Sequence, residues 1–499
     1  MKKASPSTTY INDKFLEAEL LRENIDTSQK IGLSHGVFDV LHVGHIEHLK
    51  KAKDLCDVLV VSLTNDEYVN KGPNRPFFNI EHRLNVISSL EFVDFVTISN
   101  NLSSEHVINC IKPDYYIKGI EYKEQEDLTN KIESESRCVE EVGGEVLFVA
   151  NENVFSSSKL LNESLLGEKF LEFTRSIKQR YTIEDILHYV DELDSQTVNL
   201  AGEIIIDEYV YGNCLGKSAK YPSIVFDKTE HKTFLGGVGA VANQLAALVR
   251  EVNLLTYIGN TSFSESLEFI TSRLASNVKL DYVRKENSPT IKKTRFIDSY
   301  WKSRLFEIYD INDAPLSEKE RAIFLYKLNS YDSPMAIDYG HGLLNGSEDF
   351  FSVNVQSNSG NRGYNFISKY SQPSISIVDE AELRLEMRDK HSDPISLAIQ
   401  LRERLGSEIL VATRGSHGCI VVHDENVLEI PAISGNVKDA VGAGDAFFGI
   451  FSVLIMQNTP VEIAGLLANI AGYMEASVIG HKNEHSKLYF KQTITALLK

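Results

Sequence analysis

The sequence predicts an α/β protein made of two successive blocks, each built on a parallel sheet. Apolar, β-branched runs alternate with amphipathic helical stretches from Lys30 onward, and again from Val198 onward. That alternation marks βαβ units. Two glycine turns sit where a strand gives way to a helix, at residues 35–45 and 439–448. Between the blocks, residues 168–197 are charged and helical in pattern, with no Gly or Pro. A length of 499 residues corresponds to roughly three domains at ~150 residues each, and two large α/β domains fit as well.

In order, residues 1–29 are polar with weak helical periodicity and read as a leader. KIGLSHGVFDVL is a strand entering a glycine turn, and HIEHLKKAKDL is an amphipathic helix. DVLVVSLTND is a strand, IEHRLNVISSLEF a helix, DFVTIS a strand, SEHVINCIK a helix and DYYIKG a strand. GGEVLFVAN closes a first domain over 30–167. Residues 168–197 read as a helical linker. The second domain, 198–499, runs from VNLAGEIIIDEY through PMAIDYGHG, PSISIVDEAEL and SEILVATRGSHG to DAVGAGDAFFGIFSVLIM. The blocks share no internal repeat. SVNVQSNSGNRGYN, at 352–365, is a Ser/Asn/Gly loop.

Hydrophobic residues make up 42% and charged residues 24%, which excludes collagen, a disulfide scaffold and a largely disordered chain. With 51 basic against 70 acidic residues, the net charge is −19. Such a surface repels polyanions, so neither nucleic acid nor anionic membrane is expected as a partner. Small phosphorylated metabolites remain possible at helix N-termini. The five cysteines are scattered without a CxxC pair and read as reduced thiols of a cytoplasmic protein. MKKASPSTTY has no apolar run behind its lysines and is not read as a signal peptide. No stretch of ~18 apolar residues is present to span a membrane.

The first glycine turn carries His35-Gly36-Val37-Phe38-Asp39-Val40-Leu41-His42-Val43-Gly44-His45. A helix N-terminus offers unpaired N–H groups and a positive dipole end, which suit phosphate. His42 and His45 share one face of the first turn and can donate to phosphate oxygens as charge builds. Gly44 allows close backbone approach. Taken alone, the spacing fits a satisfied histidine pair equally well. Lys71 and Arg83 alone read as plain surface charge, and His48, one turn further along, as a solvated position.

In context, this stretch resembles the nucleotidyltransferase superfamily with the HIGH-type signature. Lys71-Gly72-Pro73-Asn74-Arg75-Pro76 looks like its KGxxRP loop, and Glu81-His82-Arg83 like its E-x-R helix start. Tyr116-Ile117-Lys118-Gly119 looks like its V-K-G strand end, and Phe155-Ser156-Ser157-Ser158-Lys159 takes the place of its S-[ST]-[ST] motif. The resemblance covers about residues 28–165 and implies a Rossmann-like domain. It implies attack of a sugar 1-phosphate on the α-phosphorus of ATP or CTP, with pyrophosphate leaving and Mg²⁺ assisting. Catalytic roles are implied for His42 and His45. Phosphate or nucleotide contacts are implied for Gly36, Phe38, Gly44, Lys71, Arg83, Lys118, Ser156, Ser157 and Ser158. The nearest branch is the heptose 1-phosphate adenylyltransferase half of bifunctional ADP-heptose synthases. Glycerol-3-phosphate cytidylyltransferases are the neighbouring branch. They usually carry an Arg where this chain has Asn151, which leaves the base preference open.

The second turn, Asp439-Ala440-Val441-Gly442-Ala443-Gly444-Asp445, precedes an apolar helix. Gly442 and Gly444 free the backbone to aim N–H groups at a phosphoryl group. Asp445 is placed to take a proton from an attacking hydroxyl, or stands in the first turn simply to complement the dipole.

This turn resembles the DTxGAGD signature of ribokinase-like (PfkB) sugar kinases. Glu203-Ile204-Ile205-Ile206-Asp207 resembles the family's first strand, and 236–243 its GGAANVA motif, ending at Asn243. Pro289-Thr290-Ile291-Lys292-Lys293-Thr294-Arg295 resembles the P-T-x-x-K-x-R strand of heptose-phosphate kinases. Asp338-Tyr339-Gly340-His341-Gly342 resembles D-Y-x-K-G, with His341 for Lys. Asp379-Glu380-Ala381-Glu382 takes the place of N-x-x-E, with Asp379 for Asn. Thr413 to Gly418 resembles a nucleotide-binding strand end. The resemblance covers about 198–499 and implies a ribokinase-like α/β domain with a small β lid. Asp445 is implied as the base. Gly442, Ala443, Gly444, Thr413, Gly415 and Gly418 are implied for nucleotide. Asp207, Gly236, Gly237, Asn243, Lys293 and Arg295 are implied for sugar, and Asp379 and Glu382 for Mg²⁺. A homodimer through lid strands near 208–235 and 290–308 is also implied.

Together the halves imply a bifunctional sugar kinase and sugar-1-phosphate nucleotidyltransferase, in swapped order relative to the known fusion. Its product would be an ADP-heptose-like nucleotide sugar for surface glycans. Two alternatives stay open: a CTP-dependent cytidylyltransferase whose kinase-like half only binds sugar, and an RNA-binding module.

Overall fold

The computed structural model describes residues 13–26, 28–69, 75–120, 131–149, 167–301, 303–361, 363–435, 437–477 and 486–498. The chain divides into two compact units, Met1–Leu166 with Lys491–Lys499, and Gly167–Phe490.

The first unit is a five-stranded parallel sheet of β1 (Ile31–Gly36), β2 (Val58–Thr64), β3 (Phe95–Ser99), β4 (Tyr115–Gly119) and β5 (Glu145–Val149). Its order is β3-β2-β1-β4-β5. β1 is central, with Ile31 opposite Val58 and Gly32 opposite Tyr115. All seven residues of β2 are buried, as a parallel strand covered on both faces requires. Helices follow the strands at Val43–Lys53, Ile80–Ser88, Glu105–Ile111 and Lys131–Glu141. The last of these, KIESESRCVEE, was not read from the sequence: its apolar stripe is short, with Cys138 and Val139 in the core among mostly charged neighbours. The stretch expected as a leader is partly built into the fold. Ala18, Leu21 and Ile25 pack with Ile31, Leu33 and Val60 in one core.

The second unit has a nine-stranded sheet in the order β10-β9-β6-β13-β14-β15-β16-β17-β18. These strands are β6 (Thr197–Gly202), β9 (Glu251–Thr261), β10 (Val278–Pro289), β13 (Met335–Asp338), β14 (Ser352–Val355), β15 (Ile375–Asp379), β16 (Ile409–Thr413), β17 (Cys419–His423) and β18 (Asn426–Ile430). It is parallel from β10 to β16 and ends in two antiparallel strands. A separate four-stranded sheet orders β12 (Arg304–Asp310), β11 (Lys292–Asp298), β7 (Ile204–Lys217) and β8 (Ile224–Gly237). The apolar helix Ala443–Met456 buries ten of its residues. The stretch expected as a linker forms helices Glu168–Lys178 and Ile183–Glu192. They pack into this unit: Arg180 and Tyr181 both bond Glu462, at 2.7 and 3.1 Å. No helix among the described residues is long and apolar enough to cross a membrane.

His48 corrects the sequence reading. It is buried on the inner face of Val43–Lys53, with its Nε2 2.9 Å from Ser34 Oγ. Burial, then the charge of Lys118, lowers its pKa to about 4. The unfolded chain takes that proton near pH 6.5, so stability is full above 6.5 and drains as pH falls towards 4. In unfolding titrations, His48→Gln should flatten the loss of stability between pH 6.5 and 4. An unchanged slope would show that His48 contributes nothing.

Candidate active sites at the carboxyl ends of the two sheets

In an open parallel sheet, ligands bind beyond the strand carboxyl ends, where the strand order reverses. In the first unit that point lies between β1 and β4. The chain leaves β1 at Gly36 and reaches the helix Val43–Lys53 through a turn in which Phe38 and Val40 have φ of 48° and 52°. Positive φ at a phenylalanine and a β-branched valine is strained, and such strain clusters at functional sites. Asp39 holds the turn. Its carboxylate accepts the Phe77 and Phe78 N–H groups at 2.8 and 3.0 Å and pairs with Arg75 at 2.5 Å. Arg75 Nη1 is buried without a hydrogen-bond partner among the described residues.

His42 is the helix N-cap, and its Nδ1 accepts the Gly44 N–H at 3.2 Å. The ring proton of the neutral imidazole therefore sits on Nε2. Burial lowers the His42 pKa, so at neutral pH the ring is an uncharged donor. The rings of His42 and His45 lie 3.9 Å apart, and Phe38 meets His45 edge-on at 5.4 Å. The expected histidine pair is thus assembled at one helix start. The Gly44 amide is corrected: it serves His42.

Two other expectations are corrected. The Arg83 side chain is 1% exposed. It bonds Phe78 O, Val37 O, Thr64 O and the Asp66 carboxylate at 2.9, 2.7, 2.9 and 2.6 Å. With every guanidinium nitrogen committed, it ties the β1 and β2 exits to the next helix rather than contacting phosphate. Lys118 is buried at the end of β4, paired with Glu135 at 3.1 Å and 4.8 Å from the Tyr116 ring. Glu135 also accepts the Tyr116 hydroxyl at 2.9 Å. Lys71, Ser156, Ser157 and Ser158 lie outside the described residues.

In the second unit, the exits of β13 to β16 face the helix Ala443–Met456. Gly442 stands at the N-cap with φ 84°, a conformation that only glycine adopts cheaply. A side chain at Gly444 would meet no described atom within 4 Å, whereas the Ala443 N–H bonds Ala440 O at 3.4 Å. Asp445 is buried in the first helical turn. Its Oδ2 accepts the Tyr339 hydroxyl at 3.0 Å, and its Oδ1 accepts the Gln356 side-chain amide. Thr413 ends β16, with Gly415 and Gly418 at φ 53° and 85° in the turn that follows.

Asp379 and Glu382 form a reciprocal cap at the helix Glu380–Met387. Glu382 also accepts the Ser357 N–H at 2.7 Å. Burial, then the charges of Asp379 and Asp445, push the Glu382 carboxyl up to about 7. A partly buried cluster of carboxylate oxygens suits a hard cation such as Mg²⁺, so the donor set fits the expected ion.

On the lid side, Asp207 pairs with Arg295. A Cβ on Gly236 would fall 1.9 Å from Asp207 Oδ2, so that carboxylate requires the glycine. Gly237 turns with φ 57° into the next helix. Lys293 is 7% exposed, with its ammonium 5.3 Å from the Tyr309 ring. Asn243 is corrected as a sugar ligand. Its amide bonds Arg273 O and Ala275 N–H, each at 2.8 Å, closing a turn. His341, standing where the motif has Lys, is buried against Asp313 at 2.8 Å with Nε2 unpartnered.

A model of the pfkB family of carbohydrate kinases matches residues 200–485. The chain belongs to this family. A cytidylyltransferase-like model matches 33–163, in keeping with the Rossmann-like first unit. The bifunctional protein HldE of Desulfatibacillum aliphaticivorans is 36% identical over 137 residues, 27% of each chain. HldE of Aliarcobacter butzleri is 24% identical over 292 residues, covering 56% of this chain and 60% of that one. The chain therefore spans about a quarter of the first relative's length and three-fifths of the second's. Phosphofructokinase-2 of Escherichia coli, crystallised with substrates and products, is 14% identical. It superposes with a TM-score of 0.51 over 61% of this chain and 100% of that one, a likeness of fold.

The Asp66 side chain is 35% exposed, so the loss on removing Arg83 is that of hydrogen bonds to a charged group, about 1.5–3 kcal/mol. Arg83→Met should lower unfolding stability on that scale while leaving the residual His42–His45 chemistry measurable. Wild-type stability with lost activity would return Arg83 to a phosphate role.

Proposed function

We propose that the chain is a bifunctional sugar kinase and sugar-1-phosphate nucleotidyltransferase. The observation that carries this is shared by both units. Each parallel sheet delivers proton-handling side chains to a helix N-terminus, the His42–His45 pair in one and Asp445 in the other.

In the kinase step, a sugar hydroxyl oxygen bonds to the γ-phosphorus of ATP. The bond from that phosphorus to the β–γ bridging oxygen breaks, ADP leaves, and the hydroxyl proton passes to Asp445. Catalysis of this kind is mostly orientation and charge stabilisation. The Gly444 amide at the helix N-terminus faces the transferring group, with Ala443, Thr413, Gly415 and Gly418 on the nucleotide. Asp379 and Glu382 hold Mg²⁺, which neutralises phosphate charge when bound. Asp207, Gly236, Gly237, Lys293 and Arg295 hold the sugar. The buried Lys293 ammonium makes no direct ion pair among the described residues, with Asp207 the nearest acting carboxylate, and His341 Nε2 beside it has no hydrogen-bond partner among them. Both favour a sugar that already carries a phosphate.

In the nucleotidyl step, an oxygen of the sugar 1-phosphate bonds to the α-phosphorus of a nucleoside triphosphate and pyrophosphate departs. His42, as a neutral Nε2–H donor, and His45 stabilise the charge on the phosphoryl oxygens. The family resemblance assigns the further phosphate contacts to Lys71 and the serines 156–158. The HldE relatives favour an ADP-heptose-like product feeding surface glycans, made in the cytoplasm. A homodimer through the lid is supported by the exposed Leu215, Ile224, Phe306 and Ile308 on its strands.

The test pairs two assays on the purified chain with Mg²⁺: pyrophosphate release across ATP, CTP, GTP and UTP with sugar 1-phosphates, and ATP-dependent phosphorylation of sugar phosphates. Losing a general base costs about 100-fold or more. Asp445→Asn should lose the second activity on that scale and keep the first, and His45→Ala should do the reverse. Pyrophosphate release with CTP alone and no phosphorylation would favour the cytidylyltransferase alternative. Silence in both would overturn the proposal.

A further inference from the structure

Two side chains outside the glycine turn close on Asp445. Tyr339 follows β13 and Gln356 follows β14, and they reach Asp445 across 106 and 89 residues of sequence. Each is itself held on several sides. The Tyr339 N–H donates to Glu203 Oε2 at 3.0 Å, and its carbonyl accepts the Asn358 and Asn361 amides, both at 2.8 Å. The Gln356 N–H donates to Asp338 O at 2.9 Å, and its carbonyl accepts the Asn365 amide at 3.1 Å. Asn358, Asn361 and Asn365 of the Ser/Asn/Gly stretch thus spend side-chain amides on the backbone of these two residues.

We propose that Tyr339 and Gln356 are positioning residues for phosphoryl transfer: one donor on each oxygen fixes the plane of the Asp445 carboxylate, so that its remaining lone pairs face the sugar hydroxyl. The inference rests on the reading of Asp445 as the base. Neither side chain touches the transferring phosphoryl group or takes the proton. Tyr339 donates its own O–H, and deep burial beside Asp445 keeps that phenol protonated. A carboxylate has about four acceptor positions, and Tyr339 and Gln356 take one on each oxygen. The terminal torsion of a carboxyl group is broad, and losing either donor loosens it. A near-attack geometry does not tolerate that.

The experiment measures kcat, both KM values and the melting temperature for Tyr339→Phe, Gln356→Leu and Tyr370→Phe. Tyr370 is the control. Its buried hydroxyl also donates to a carboxylate, that of Asp338, at 2.7 Å, without touching Asp445. Hydrogen bonds to charged groups are worth enough to change a rate about tenfold or more. Tyr339→Phe and Gln356→Leu should each lower kcat at least about tenfold, with both KM values within about twofold. Tyr370→Phe should lose melting temperature comparably and keep kcat within about twofold. The proposal falls if Tyr339→Phe and Gln356→Leu turn over like wild type, or if all three variants lose kcat in step with stability. Asp445→Asn separates the two levels. A dead Asp445→Asn beside unimpaired Tyr339→Phe sinks only the positioning role, whereas an active Asp445→Asn sinks the base itself.

Discussion

Glu203 is the constraint on which the second unit depends. It sits where the chain passes from the large sheet into the lid, between Gly202 and Ile204, with no exposed surface. A buried carboxylate is costly unless hydrogen-bonded. Glu203 accepts three backbone N–H groups, from Tyr339, His341 and Leu343, at 3.0, 3.1 and 3.3 Å. Burial and the neighbouring Asp338 push its pKa upward, and the amide donors oppose that shift. The result is a loop after β13 pinned to the first strand of the unit, with Tyr339 aimed at Asp445.

On the proposed function, the two units meet one need with the same device. A phosphate under transfer needs donors in place before charge develops, and a helix N-terminus supplies them from backbone alone. The chain then adds one kind of proton-handling side chain to each: imidazoles beside Gly44, a carboxylate beside Gly444. The net charge of −19 is compatible with anionic ligands because the fields that matter are local. His42 stays neutral, and buried Lys293 and Arg295 gather at the lid.

The alternation of elements was legible because parallel strands are apolar along their length, as β2 is at every position. The helix starts at His42 and Gly442 were legible because strained turns demand glycine, histidine and aspartate at short spacing. What escaped was mostly long-range. Glu203 reads as an acidic residue before a strand, and nothing local announces three amides from the 339–343 loop. Arg83 and Lys118 carried the right motifs, yet burial committed them to Asp66 and Glu135. His48 looked solvated because polar neighbours conceal the inner face of its helix. Asn243 lay near a sugar-binding motif, but one helical face decides whether an amide meets ligand or a neighbouring turn. The departures from the family pattern became intelligible only in three dimensions. Gln356 follows β14 and spends its amide on Asp445.

The most direct test of this account is a double-mutant cycle on kinase turnover with Glu203→Gln and Tyr339→Phe. Contacting members of one network show coupled energies, whereas independent sites add. If Glu203 acts on the base through Tyr339, the double variant loses little more kcat than the worse single variant. Fully additive losses would contradict it, since Glu203 would then support the unit without setting the position of Asp445.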